Sequence, residues 1–366
     1  MDALALWGPF GILVESKAKQ FRVESQLRRR DDGSFGDAGR LATDLDANIV
    51  DAFKQAQRAL RFIEATDHPI FKEKETQRLI PIRKSSDGAF YLLTVSLLEQ
   101  GGIANYRSAL QEIGLFSDGI SSLALTIWEL DIISQFCDGP DVFLHYLERR
   151  LQLLRGEFDT FADELDHFGC YLNSRLHSST FEGNNEAEPK LVMLSGWGST
   201  FDLWMSYQRG DLPEQPDIQL QVPPAIREIQ IELRKQNEDW ARLLLLDLLG
   251  ADDEVLLWMS DAIEHFRSNV KPGSIQSSFL KSDDTVWCVM ASRRGSRDEL
   301  ANSLEARLVV EQYSNRARFG IGFGIYLPDT EQAFAMGFRR DAPWESNPNL
   351  ERLISSAPRN YLLPPR

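Results

Sequence analysis

Met1-Asp2-Ala3-Leu4-Ala5-Leu6-Trp7-Gly8-Pro9-Phe10-Gly11-Ile12-Leu13-Val14-Glu15-Ser16-Lys17-Ala18 decides how the rest of the chain is read. Two apolar runs flank Gly8-Pro9-Phe10-Gly11, the pattern of a β-hairpin. Side chains alternate along a strand, so Leu13, Glu15 and Lys17 share one face while Ile12, Val14 and Ser16 share the other. With Gly8 to Gly11 as the loop, Trp7 faces Ile12, and Asp2 falls opposite Lys17 and diagonal to Glu15. A slip of one residue would send Asp2 to the other face. Two carboxylates beside a lysine suit a hard divalent cation, Mg²⁺ or Mn²⁺, whose remaining positions are filled by water and phosphate oxygens. Asp2 and Glu15 are the candidate metal ligands, and Lys17 the group that positions water or steadies developing charge in phosphodiester hydrolysis.

Downstream, Lys17, Lys19, Arg22, Arg28, Arg29 and Arg30 form a basic stretch that can face phosphate or stand as a solvated loop. A helix is expected from Thr43 to about Ala65. Leu45, Ile49, Phe53, Ala56, Leu60 and Ile63 make its apolar stripe, and Thr43 with Asp46 forms a weak capping box. Arg78 to Arg83 and Phe90 to Leu98 read as strands.

An Asp-led strand, a turn and a Val-Glu-x-Lys strand, followed by a basic glycine-containing loop and an amphipathic helix, resemble the PD-(D/E)xK (restriction-endonuclease-like) nuclease superfamily. Within it they are similar to the nuclease-related domain. The resemblance covers about the first hundred residues. It implies a restriction-endonuclease-like core acting on DNA, in defence or DNA processing, with Asp2, Glu15 and Lys17 at the site. It also implies a supporting glutamine on the following helix, Gln55 in first place and Gln57 next. The Gln-x-x-x-Tyr variant is not met, because Arg61 follows Gln57. A lone Glu-x-Lys is also found as an exposed cross-strand ion pair. The order of strand, loop and helix distinguishes the present case. The family core carries a helix, and often a strand, ahead of the Asp-bearing strand. Met1 is therefore expected to be an internal methionine of a longer reading frame, or the chain to be a shortened form with little activity.

At 366 residues with 43% hydrophobic content, the chain is long enough for two domains with substantial cores. The expected fold class is α/β (α+β): a nuclease-like core over 1–98, a helical extension over 99–181 and an α+β domain over 190–366. The net charge of −15 argues against a general polyanion-binding surface. It is unevenly spread: residues 1–84 carry 15 Lys and Arg against 13 Asp and Glu, and the remainder 25 against 42. The acidic remainder suits a basic protein partner. An inactive nuclease fold used as a protein-interaction module is therefore the alternative reading. Cys137, Cys170 and Cys288 are widely spaced, which fits a reduced, cytoplasmic protein. Cys170, His167 and His177 match no zinc spacing and read, with His145, as helix-surface residues. No apolar run has membrane-spanning length, and the opening stretch lacks the basic start of a signal peptide.

Residues 100 to 135 read as helical, with Leu123, Ile127 and Leu130 at helical spacing. Asp138-Gly139-Pro140 breaks the chain before a helix over Val142 to Leu154. Glu182 to Pro189 is the expected linker, and Leu212 to Pro224 is a second, Pro-rich interruption. Beyond these, helices are expected over Ile226 to Leu249, Glu254 to Ser268 and Asp298 to Tyr313. Strands are expected over Val286 to Ala291 and Phe319 to Leu327. Gly320-Ile321-Gly322-Phe323-Gly324 misses the dinucleotide-binding spacing and fits close backbone approach within a strand. Trp204, Trp240, Trp258 and Trp287 read as core aromatics.

Overall fold

The computed structural model describes residues 1–18, 43–44, 46–97, 121–156, 158–177, 190–327 and 334–356. It has the mixed α+β character expected and divides into two compact units, Met1–Gln221 and Val222–Arg366. The division falls inside the Pro-rich stretch, so residues 190–221 belong to the first unit. The expected linker at Glu182 to Pro189 lies outside the described residues.

In the first unit β1 (Ala3–Trp7) and β2 (Phe10–Lys17) form the hairpin. The loop is Gly8-Pro9 alone, with Trp7 opposite Phe10 and Ala3 opposite Val14. This corrects the four-residue loop and the Trp7/Ile12 pairing. Gly8 has φ +65° and Pro9 a ring-fixed negative φ, which is all a two-residue hairpin turn of the Gly-first type needs. The change of two positions keeps every β2 residue on its expected face. Gly11 becomes a strand residue, and a Cβ there would lie 2.4 Å from the Phe90 ring.

A π-helical turn, Asp46–Val50, leads into α1 (Asp51–Ala65). Ile49, Phe53, Ala56, Leu60 and Ile63 are buried as the stripe requires. Leu45, and the side chain of Asp46 in the suggested capping box, lie outside the described residues. A short hairpin, β3 (Ile70–Lys72) with β4 (Leu79–Pro81), follows, and then β5 (Phe90–Ser96) and β6 (Ser122–Thr126). The sheet order is β1-β2-β5-β6, with β2, β5 and β6 parallel and α1 packed on β2 and β5. The β2-α1-β5 crossover is thus the connection a parallel pair demands.

Ser122–Thr126 is a strand, not the expected helix, and all five residues are buried. A helix begins only at α2 (Ile127–Phe136), where Thr126 and Glu129 form a reciprocal capping box. Thr126 N donates to Glu129 Oε2 at 2.7 Å, and Glu129 N to Thr126 Oγ1 at 3.0 Å.

Then come α3 (Pro140–Arg155), β7 (Phe158–Phe161), α4 (Glu164–Ser174), β8 (Lys190–Met193), which is parallel to β7, and α5 (Ser199–Gln208). His145, His167, Cys170 and His177 are buried here, which corrects their placement on helix surfaces. The reason is a set of partners distant in sequence. Arg149 donates to His145 Nε2 at 3.2 Å, His145 Nδ1 lies 3.0 Å from the Tyr171 hydroxyl, and that hydroxyl donates to Val142 O. His167 joins Asp163 O (2.8 Å) to Thr160 Oγ1 (3.0 Å). Burial, with Arg149 near His145 and Arg150 near His167, holds both imidazoles well below their usual range, so both are neutral.

Arg150 on α3 and Glu164 on α4 are fully buried and joined by two bonds, Nε to Oε1 at 2.9 Å and Nη2 to Oε2 at 2.8 Å. Tyr146 adds a hydroxyl to the same carboxylate.

In the second unit α6 (Pro224–Arg234), α7 (Asp239–Gly250) and α8 (Asp253–Asn269) precede a sheet of order β12-β11-β10-β9. Its strands are β9 (Ile275–Ser282), β10 (Thr285–Ser292), β11 (Phe319–Tyr326) and β12 (Phe334–Asp341). Helix α9 (Arg297–Ser314) links the parallel pair β10 and β11, and α10 (Pro348–Ser356) follows β12. The single helix expected over Ile226 to Leu249 is two. Lys235-Gln236-Asn237-Glu238 supplies no apolar anchor, and Glu238 is extended. Gly320 and Gly322 admit Leu308 and Leu304 of α9, to which an added Cβ would come within 3.1 and 3.0 Å, so their role is close approach. Trp204 and Trp287 are buried, whereas Trp240, expected in the core, is 37% exposed.

Two predictions concern stability. Arg150→Leu leaves Glu164 charged and unpaired in the interior and is expected to cost about 3–5 kcal/mol, read as a shifted denaturant midpoint. Burial, opposed by the Thr126 N–H and reinforced by the field of Glu164 and Asp163, pushes the Glu129 carboxyl up to about 7. Its folded pKa exceeds its ordinary value of 4.5, so the folded state holds the proton more tightly. Stability from this group is therefore fully present below about pH 4.5 and lost as pH rises through about 7. The melting temperature should fall between these limits in the parent, and Glu129→Gln should flatten that slope.

Candidate functional site at the carboxyl ends of three parallel strands

Leu13, Glu15 and Lys17 alternate onto the β2 face that meets α1, since Lys17 Nζ donates to Gln55 Oε1 at 3.0 Å. Parallel pairing extends the pattern sideways. Glu15 is in register with Thr94 and Ala124, and Lys17 with Ser96 and Thr126. Leu13, one alternation back, is in register with Leu92 and Ser122. Paired residues of neighbouring strands share a face, so this face turns polar toward the carboxyl ends of β2, β5 and β6. Open α/β sheets present ligand-binding crevices at that end.

Glu15 is 1% exposed. Its Oε1 lies 2.5 Å from the Met1 α-amino nitrogen, and no donor meets that oxygen with hydrogen-bond geometry among the described residues. Gln55 is the glutamine that reaches Lys17, while Gln57 is buried elsewhere on the α1 surface. Thr94 Oγ1 lies 3.1 Å from Ser122 Oγ and closes the polar row.

Asp2 departs from its expected position opposite Lys17. The tighter turn draws it back, so that Asp2 N donates to Val14 O at 3.1 Å. Its Oδ2 accepts from Ser16 N (2.8 Å) and Ser16 Oγ (3.0 Å). The Ser16 N–H bond is the main reason its carboxyl is held below the usual range. The structure thus joins Lys17 directly to Gln55, sets Glu15 two residues away on the same strand face, and places the Asp2 carboxyl against both Ser16 and Glu15. Lys19, Arg22, Arg28, Arg29 and Arg30 lie outside the described residues.

A hard cation fits this donor set in part. Glu15 offers a buried oxygen that is ion-paired with the Met1 α-amino group, whereas one Asp2 oxygen is committed to Ser16. Mg²⁺ needs only one or two protein carboxylates. Among the described residues no group of three or more His, Cys, Asp or Glu is arranged to hold a metal ion.

Thr94, Ser96 and Thr126 were not foreseen at the site. The available signal was Thr94-x-Ser96, which repeats the spacing of Glu15-x-Lys17 inside another apolar run. Among the described residues no helix is long and apolar enough to cross a membrane. No protein-family model, curated protein or solved structure matches this chain.

Proposed function

We propose that the first unit is a metal-dependent nuclease of the PD-(D/E)xK type that hydrolyses phosphodiester bonds in DNA. The observation that carries this reading is the buried Glu15 carboxylate on the same strand face as Lys17, whose ammonium Gln55 fixes in place. Glu15 and Asp2 would hold Mg²⁺ or Mn²⁺, which when bound polarises phosphoryl oxygens and lowers the pKa of its water. Lys17, oriented by Gln55, supplies positive charge for the developing phosphorane-like oxygens. The order of elements supports the reading: a hairpin followed by a helix packed on its second strand, as the resemblance implies.

A protein-interaction module built on the same fold is the second reading. It is favoured by the engagement of Asp2 with Ser16 and by the acidic balance of residues 85–366. Undetectable DNA binding at low salt, with no metal binding, would select it.

The test is cleavage of plasmid and oligonucleotide DNA with Mg²⁺ against chelator. Lys17→Ala should lower the rate by roughly 10²–10³-fold, with circular dichroism and melting unchanged. Equal cutting by parent and variant would remove Lys17 from the mechanism, and no cutting by the parent would set the hydrolase reading aside.

A further inference from the structure

Just beyond the row Lys17–Ser96–Thr126, three apolar residues face solvent: Leu97 at 52% exposure, Ile127 at 39% and Trp128 at 68%. Trp128 is the most exposed of the eight tryptophans of the chain. Indole is costly to leave in water, and an exposed aromatic continuous with a polar site is a recurrent contact surface. The residue is also held in place. It occupies the first turn of α2, between the two halves of the Thr126/Glu129 capping box, so its backbone loses little freedom when a ligand arrives.

The charge around it bears on what it can receive. Burial pushes the Glu129 carboxyl of the same turn up to about 7, and Glu164 is paired with Arg150, so neither places a full negative charge beside the indole. Lys17, a positive group at this end of the sheet, is two strands from Thr126, about 10 Å at the usual strand spacing, and Trp128 follows Thr126 by two residues. A ligand that spans both positions presents an anionic group to Lys17 and an uncharged flat surface to Trp128. A nucleotide has both: its phosphate is charged and its base has a neutral π-face.

We infer that Trp128 is a stacking platform for an unpaired base next to the phosphate bound at Lys17, so that the substrate is single-stranded or locally opened DNA. This rests on the nuclease reading of the Glu15/Lys17 site. Duplex DNA keeps its bases stacked on one another and offers Trp128 no free face.

The experiment measures binding without turnover: anisotropy of a fluorescein-labelled mixed-sequence single strand and of its duplex, at low salt with chelator present. Trp128→Ala should weaken single-strand binding roughly tenfold and Trp128→Phe should largely restore it, while duplex binding changes little. Because Trp128 is exposed, melting temperature should not move. Unchanged single-strand affinity in Trp128→Ala, or no binding by the parent, would overturn the inference. So would a change in sedimentation with no change in DNA binding, which would assign the rim to contact between copies of the chain. The two readings fail separately. Trp128-dependent binding by a protein that cuts nothing with Mg²⁺ defeats hydrolysis alone, whereas Mg²⁺-dependent cutting with a Trp128→Ala variant that binds like the parent defeats only the stacking platform.

Discussion

Burial of the Glu15 carboxylate at the end of β2 is the constraint on which the first unit turns. Two residues earlier the same strand face carries Leu13, fully buried against α1. An ionised group taken out of water needs a cation or several donors. Glu15 meets the Met1 α-amino group at 2.5 Å, while Lys17 on the same strand donates to Gln55. A buried carboxylate held by a rigid frame on the strand face that also carries Lys17 has the character of a functional site.

That frame is set by local chemistry acting at two places. At one end the Gly8-Pro9 turn locks the hairpin register and thereby which β2 residues face α1. At the other, Thr126 ends β6 and starts α2 in one step, because its hydroxyl caps the helix while its side chain still belongs to the sheet row of Ser96 and Lys17. Polar residues at strand ends thus serve the fold and define the site together. The Arg150–Glu164 pair plays the opposite part. It is fully buried, doubly hydrogen-bonded and joined by Tyr146, and it fixes how α3 meets α4.

Much of this was legible in the sequence where the determining signal is short-ranged. The hairpin, the stripe of α1 and the placing of Glu15 with Lys17 on one face all follow from periods of two or of three and four, whereas the choice of Gln55 before Gln57 comes from the family resemblance. The sequence pattern makes the turn two residues too long because Gly11 resembles a turn glycine. Its small size is required instead by Phe90, some eighty positions away in the chain. Ser122 to Thr126 was read as helix because Leu123, Ile127 and Leu130 satisfy the helical period across a strand–helix junction. Local sequence points His145 and His167 to helix surfaces, because only tertiary partners, Tyr171 and Thr160, make their burial tolerable. The polar row of Thr94, Ser96 and Thr126 depends on parallel pairing, which no local pattern announces.

Titration of Mn²⁺ into the purified protein by calorimetry addresses the Glu15 site most directly, in the parent and in Glu15→Gln, which keeps the side-chain volume and removes the charge. The account predicts one bound ion in the parent, its affinity falling by at least about tenfold in the variant, with both proteins folded to the same extent. Equal affinity in the two proteins, or no binding by the parent, would contradict it.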